Sequence, residues 1–539
     1  MTWQAETTAA SSAYRDFLTS LVAVATSKHI SAVVINAAGT GYVAGDMLTI
    51  THAGAYHDCI LEVLTVGGSG EVLTVAIRKG GAFSNRLASA VVNAGGSGYV
   101  VGDVLEVQGG TSTEKAKVQV ATLSGSAVAT VNVFETGGAY SVAPGLTGAV
   151  TAGIGPAAFA GDDAATLDLT MTSEVGTTGI AATGGSGASA TFDLTLTATG
   201  WSAERNTNER TENSITDEKE VVLVGTPASG DSPYVGFFTY TATSGLDTRY
   251  GIACFGMVAF NPSLALSAQP GIGPLAGVTG SSEGSHIPIH EAAREWWLSI
   301  TAVKIAGVIR TTDATVAYAS FYVGFGNRYG SATTNPYPMF IGASSQTANQ
   351  APDSANLTGL SECFRASSTQ SGPMYFRRKS DAAWAQVTNG NNVTTPAQLD
   401  DNVMWPVCSL QEVNTASVPE QQMAEDGPVM LSDGRIGSNI RANVSNRLLP
   451  APDTGDDWFV LWPLTVLATN GSQSNDVNLE VVCELDNVYW FGGSTSAAAT
   501  VSPEDYFDDP VTGTRYRIFP NGTQGIAARP YQFFCMAEL

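Results

Sequence analysis

Positive charge is scarce in this chain: 25 Lys and Arg stand against 49 Asp and Glu, a formal net charge of −24 over 539 residues. A surface of that sign repels phosphate backbones, so nucleic acid is not an expected partner. Cysteine is also thin. The six, at 59, 254, 363, 408, 483 and 535, form no CxxC and no close pair. That excludes a disulfide scaffold and predicts reduced thiols, several inside strands, as at Cys254. No stretch approaches the roughly 20 uninterrupted apolar residues of a membrane span, so no membrane partner is expected either. The segment Met1-Thr2-Trp3-Gln4-Ala5-Glu6 carries neither a basic region nor an apolar one, and synthesis in the cytosol without export is the expectation.

Glycine is plentiful, at 58 residues, and 44% of the chain is hydrophobic against 14% charged. The balance argues against disorder and against long helices, and it suits many short strands joined by tight turns. A chain this long exceeds one core, and two to four domains are expected.

A twelve-residue phrase occurs twice. Gly39-Thr40-Gly41-Tyr42-Val43-Ala44-Gly45-Asp46-Met47-Leu48-Thr49-Ile50 returns as Gly96-Ser97-Gly98-Tyr99-Val100-Val101-Gly102-Asp103-Val104-Leu105-Glu106-Val107, an offset of 98 − 41 = 57. The offset also maps Ile35-Asn36-Ala37 onto Val92-Asn93-Ala94 and Gly80-Gly81-Ala82-Phe83 onto Gly137-Gly138-Ala139-Tyr140, with a one-residue slip around Val72 to Ile77. Glycine turns between alternating apolar and polar runs mark β-modules in series. The glycines supply positive φ, and the tyrosine between them is placed to cover the edge of a core. A smaller echo relates Thr166-Leu167-Asp168-Leu169-Thr170-Met171-Thr172 to Thr191-Phe192-Asp193-Leu194-Thr195-Leu196-Thr197, an offset of 191 − 166 = 25. Both read as strands with one polar and one apolar face.

Tyr14, Phe17, Leu18, Leu21, Val22 and Val24 recur at helical spacing within residues 6–27. Near Trp201 the chain turns polar and then richer in aromatics, which predicts a domain boundary. The expected fold is mainly β. It has a short N-terminal helical segment at 1–30, two tandem β-repeats at 31–144 and a short strand-repeat region at 145–200. A larger β-sandwich or barrel-like body follows at 201–539.

Chemistry has few footholds. His286-Ile287-Pro288-Ile289-His290-Glu291, with Glu295 beyond, is the best metal-like cluster. However, Pro288 disfavours the helix that would bring two His onto one Zn, and the motif lacks the general-base Glu of HExxH. A polar loop leading into a strand at Trp297 is the better reading, and no metal or other cofactor is assigned. The acidic pairs Asp400-Asp401, Asp456-Asp457, Glu504-Asp505 and Asp508-Asp509 lack Ca²⁺-loop spacing and read as solvated turns. There is no nucleophile elbow with a triad order and no phosphate loop, so no catalytic residue is assigned. Trp296, Trp297, Trp405, Trp458, Trp462 and Trp490 are read as core before they are read as sugar platforms.

The half after Trp201 resembles a widespread family of structural proteins from tailed bacteriophage virions. The resemblance rests on Pro233-Tyr234-Val235-Gly236-Phe237-Phe238-Thr239-Tyr240, on Trp296-Trp297-Leu298-Ser299-Ile300-Thr301 leading to Ala317–Phe325, and on Asn335-Pro336-Tyr337-Pro338-Met339-Phe340-Ile341-Gly342-Ala343-Ser344. Glu484-Leu485-Asp486-Asn487-Val488-Tyr489-Trp490 is similar to that family's Glu-Leu-Asp-Gly-Val-Tyr phrase, departing at Asn487, where Gly is usual. Arg515-Tyr516-Arg517-Ile518-Phe519-Pro520-Asn521 and the finish Tyr531-Gln532-Phe533-Phe534 complete it. Order and spacing agree over about 215–539. The Gly-Ser-Gly-Tyr-x-x-Gly-Asp repeats look like modules inserted in phage tail, fibre and appendage proteins.

The resemblance implies a non-enzymatic virion component of the tail, neck or collar, or of a tail-attached appendage, assembled in the host cytoplasm. The expected partners are further copies of this chain, in a ring or trimer, and other tail or neck proteins. Phe17, Leu21, Tyr531, Phe533 and Phe534 are the residues expected at contacts between subunits. A rival expectation is a receptor- or glycan-binding protein in which Tyr42 and Tyr99 or exposed Trp rings stack on host surface glycans.

Overall fold

The computed structural model describes residues 2–6, 13–51, 55–83, 86–108, 115–135, 137, 147–151, 164–172, 178–210, 215–244, 247–273, 285–289, 294–311, 317–328, 338–344, 363–364, 374–377, 384–386, 403–405, 429–430, 436–437, 461–469, 479–491, 503–509, 513–520 and 533–538. The protein is mainly β, built from antiparallel sheets, with one α-helix, Ala13–Ala25, among the described residues. Its contacts divide it into two units. One holds Phe17–Leu223 and the other holds Trp3–Asp16 with Val224–Leu539.

The first unit contains two copies of one small barrel. In the first copy Lys28–Thr40 pairs with Ala188–Ala198, which pairs with Ile180–Ala181. Thr183 then bridges to Thr49 in the strand Met47–Ile50, which pairs with Cys59–Val66, and that strand pairs with Val72–Lys79. Val72–Lys79 lies back against Lys28–Thr40, closing the ring. In the second copy Leu87–Ala94 pairs with Thr166–Met171, then Thr147–Thr151, Val104–Val107, Lys117–Ser124 and Ala127–Glu135 follow in turn. Here closure is sealed by the Val128 amide donating to the Gly95 carbonyl at 2.9 Å.

The offsets of 57 and 25 are therefore two halves of one relation. Thr191, Asp193 and Thr195 face Ala37, Val34 and Ala32, while Thr166, Asp168 and Thr170 face Ala94, Val91 and Ser89. Adding 57 on one strand and subtracting 25 on the other carries each pair onto its counterpart. The interiors match in the same way. Ile30, Leu48, Ile50, Leu61, Val63, Phe192 and Leu194 fill one barrel; Leu87, Leu105, Val107, Val118, Val120, Leu167 and Leu169 fill the other. Inward residues alternate along each strand, and a barrel this narrow is filled by side chains alone. Each large aliphatic removed from water there contributes about 1.5–3 kcal/mol.

The barrels are nested, not tandem. The second, residues 87–171, sits in the connection between Phe83 and Ile180 of the first. Its entry and exit lie side by side: the Thr172 amide donates to the Arg86 carbonyl at 2.8 Å, and the Arg86 amide donates to Thr172 Oγ1 at 3.0 Å. A module whose ends are adjacent can occupy a loop of another without pulling it apart. Residues 145–200, expected as a separate region, instead supply the strands that complete both barrels. The slip read around Val72 is one residue lost at a hairpin tip, where Val66↔Val72 becomes Leu123↔Val128.

The expected N-terminal helix is present over Ala13–Ala25 among the described residues, and Thr2–Glu6 is a strand. The helix ends where the Thr199 hydroxyl donates to the Ala25 carbonyl and the Thr199 amide donates to Ser27 O at 3.1 Å. By its contacts the division between units falls at Leu223/Val224, within the strand Ile215–Gly225.

The second unit is a body of antiparallel sheets. One runs in the order Thr2–Glu6, Arg294–Thr301, Lys304–Thr311, Ala317–Phe325, Met339–Ala343, Met374–Arg377, Trp384–Gln386. The strand expected at Trp297 is thus present over Arg294–Thr301. Tyr234–Ser244, Asp247–Met257 and Ser285–Pro288 form a second antiparallel set that packs against the first, with Ser285 Oγ donating to Ile341 O at 3.3 Å. Val403–Trp405, Leu461–Thr469, Leu479–Phe491, Phe533–Glu538, Arg515–Pro520 and Tyr506–Asp508 make a third sheet, with Asn327–Arg328 pairing beside Leu479–Phe491. Inward residues of these strands, among them Trp296, Phe321, Tyr322, Phe340 and Phe534, are fully buried.

Candidate functional site

The repeated Gly-Tyr-x-x-Gly-Asp phrase is a folded turn whose tyrosine points inward while the residues after it face out. Asp46 Oδ2 accepts from the Val43 amide at 3.0 Å and Asp103 Oδ2 from the Val100 amide at 2.9 Å, while Gly45 and Gly102 take φ of +93° and +98°. Such values favour glycine. Tyr42 and Tyr99 are only 3% and 2% exposed, and their hydroxyls accept from the Ala190 and Ala165 amides at 3.3 and 3.2 Å. Both rings are core, which removes them as glycan contacts. Ser186 adds a lid to the first copy: its amide and hydroxyl reach Asp46 Oδ2 at 2.9 and 2.7 Å. The Ser186 amide, then the Val43 amide, hold the Asp46 carboxyl below its ordinary value.

The residues expected between subunits are, where described, interior to this chain. Phe17, Leu21 and Phe534 have no exposed surface, and Phe534 packs on Phe364 and Phe519 with ring centroids 4.6 and 5.9 Å apart. An apolar stripe buries against whatever is nearest, and here that is the chain itself. The Phe533 backbone pairs with Phe491 and Pro520 inside the third sheet. Tyr531 lies outside the described residues.

Of the metal-like cluster, His286 and Glu295 are the two candidate ligands described. His286 is buried in the strand Ser285–Pro288 against Tyr240, edge to face at 5.3 Å, and its two ring nitrogens have no hydrogen-bond partner among the described residues. Burial pushes its pKa down to about 4. Glu295 is instead ion-paired to Arg310. His290 and Glu291 lie outside the described residues, and no group of three His, Cys, Asp or Glu among those described is arranged to hold an ion. Trp296 and Trp297 are buried. Asp400-Asp401, Asp456-Asp457 and Trp458 also fall outside the described residues.

Polar chemistry in the body gathers in two places. The first surrounds Asp486. Four residues bulge between the pairs Thr465↔Glu484 and Pro463↔Tyr489, and Asn487 turns at φ +55°. Asn tolerates that left-handed conformation better than most residues, which accounts for Asn where the resembling phrase has Gly. The bulge presents Asp486 to Thr301 Oγ1 at 2.9 Å and Asn327 Nδ2 at 3.3 Å, while its amide donates to Tyr322 Oη at 3.1 Å. Lys304, fully buried, donates to Ser299 Oγ at 2.8 Å; burial lowers its pKa to about 8, with Asp486 pulling the other way. With no exposed surface, this lysine ties the strand Lys304–Thr311 to Arg294–Thr301.

The second gathers around Arg310, whose guanidinium binds both Glu295 and Glu504 and lies 5.8 Å from the Trp297 ring centroid. Tyr318 Oη donates to Glu504 Oε1 at 2.8 Å. Glu504 adopts φ +73°, a conformation that costs a non-glycine residue on the order of 1 kcal/mol. Its carbonyl accepts from Arg517 Nη1 at 3.0 Å. Next to it Asp508 grips Arg515 with two bonds of 2.8 and 3.0 Å, and the Arg515 guanidinium stacks 3.8 Å from the Tyr506 ring centroid. Tyr506 is 54% exposed, the one aromatic ring among the described residues that stands out into solvent to this degree. Sequence reading passed over it because a single Tyr beside acidic pairs carries no periodic signal.

One arginine thus bridges both glutamates. The described thiols offer no nucleophile: Cys59, Cys254, Cys363, Cys483 and Cys535 are buried, and desolvation raises each thiol above its ordinary value. Comparison with known proteins gives no match, either to a family model or to a curated protein.

Proposed function

We propose that this chain is a non-enzymatic structural component of a tailed bacteriophage virion, in the tail, the neck or collar, or a tail-attached appendage, and that it assembles as a symmetric oligomer. The observation that carries the reading is where the chain spends its side chains. Two barrels are packed solid by matched residues, and in the body Asp486 and the buried Lys304 are committed to joining strands. Modules of this kind serve as spacers and contact surfaces. The resemblance of 215–539 to virion proteins supplies the setting, and the turn at Asn487 is compatible with the phrase that carries it. The finer shape of the body, a β-sandwich or a barrel, belongs to the same reading.

Closed symmetry lets one interface be used many times. Light scattering of the purified chain is expected to give an integral multiple of 55.8 kDa, and negative-stain images are expected to show a ring or trimer. A monodisperse monomer at micromolar concentration contradicts self-assembly.

A further inference from the structure

We infer that Tyr506 and its arginine support form a carbohydrate-binding platform for a neutral or amino sugar. The ring lies on the edge strand Tyr506–Asp508, paired on one side to Arg515–Pro520. One face is braced by Arg515, itself fixed by the two-point grip of Asp508, so the ring is rigid while more than half exposed. A rigid aromatic loses little conformational freedom when it captures a ligand, and its other face offers apolar surface to the C–H side of a hexose.

The surroundings select the ligand. Two polar side chains border the ring: Asp508, which grips Arg515, and Arg517, which is paired with Glu538 at 2.6 Å and lies 5.9 Å from the ring centroid. Glu504 is held in a left-handed conformation beside them, and backbone strain of this kind collects at ligand sites. A protein surface is the other occupant that Tyr and Arg together suit, and the test below separates the two. The overall charge of −24 disfavours uronate and sialate polymers and nucleic-acid bases on a phosphate chain. The site is separate from the structural role proposed above and does not depend on it.

The test is affinity electrophoresis and calorimetry of the full chain against a glucan, a galactan, a mannan, chitosan oligomers and polygalacturonate. At least one neutral or amino polymer is expected to bind. Tyr506→Ala should weaken that binding about tenfold or more, and Tyr506→Phe should keep it, with an unchanged circular dichroism spectrum and melting temperature in both variants. Failure of every neutral and amino polymer, or equal binding by Tyr506→Ala, overturns the proposal. It is also overturned if Tyr506→Ala leaves sugar binding intact and changes the oligomeric mass, which would make the ring a protein contact.

Discussion

His286 and His57 enter the fold uncharged. Burial brings each pKa down to about 4, with Lys79 adding to the effect at His57. Between the ordinary value of 6.5 and about 4 the unfolded chain binds protons that the folded chain refuses. Stability from these groups is therefore full above pH 6.5 and is lost as pH falls through that window. For the fully buried His286 the loss is about 3 kcal/mol. Melting temperature measured from pH 7.5 to 4 is expected to fall along this limb. His286→Leu should flatten it, and an unchanged profile in that variant contradicts the buried, unpartnered state. Tyr42 and Tyr99 teach a related lesson. Flanking glycines marked a turn correctly, yet the same pattern fits a ring on the surface and a ring folded inward. Only the Ala190 and Ala165 amides, 148 and 66 residues further along, decide for the interior.

Strand pairing explains what was legible at the next level. The 57-residue repeat announced two modules, since glycines and alternation are local signals. The 25-residue echo announced two more strands, but their partners are about 155 residues back in one barrel and 75 in the other. Nothing local reveals that the second strand skips over a whole barrel to close the first. Nesting makes a concrete prediction. Replacing residues 86–172 with a short Gly-Ser linker should leave the outer barrel folded, because all of its core residues lie outside that stretch. Amide exchange of the shortened protein is expected to keep Leu48, Leu61 and Phe192 protected. Exchange at those positions as fast as in the unfolded chain would mean that the two barrels are one cooperative unit.

Taken together, the chain has two packed barrels in one unit and a body of packed sheets in the other, with charge mainly negative and its arginines held in pairs such as Arg310 with Glu295 and Glu504. The fold class was plain from composition and alternation. The expected contact residues were not, because an apolar stripe looks the same whether the surface that covers it is the same chain or another. Phe17, Leu21 and Phe534 are covered within the chain, so the proposed oligomer calls for outward-facing side chains at its contacts. Immunogold labelling of purified phage particles with antibody to this chain is the direct measurement. Gold at one fixed axial position on tail, neck or appendage is the expected result; particles that carry no label, with the chain left soluble in the lysate, would contradict a place in the virion.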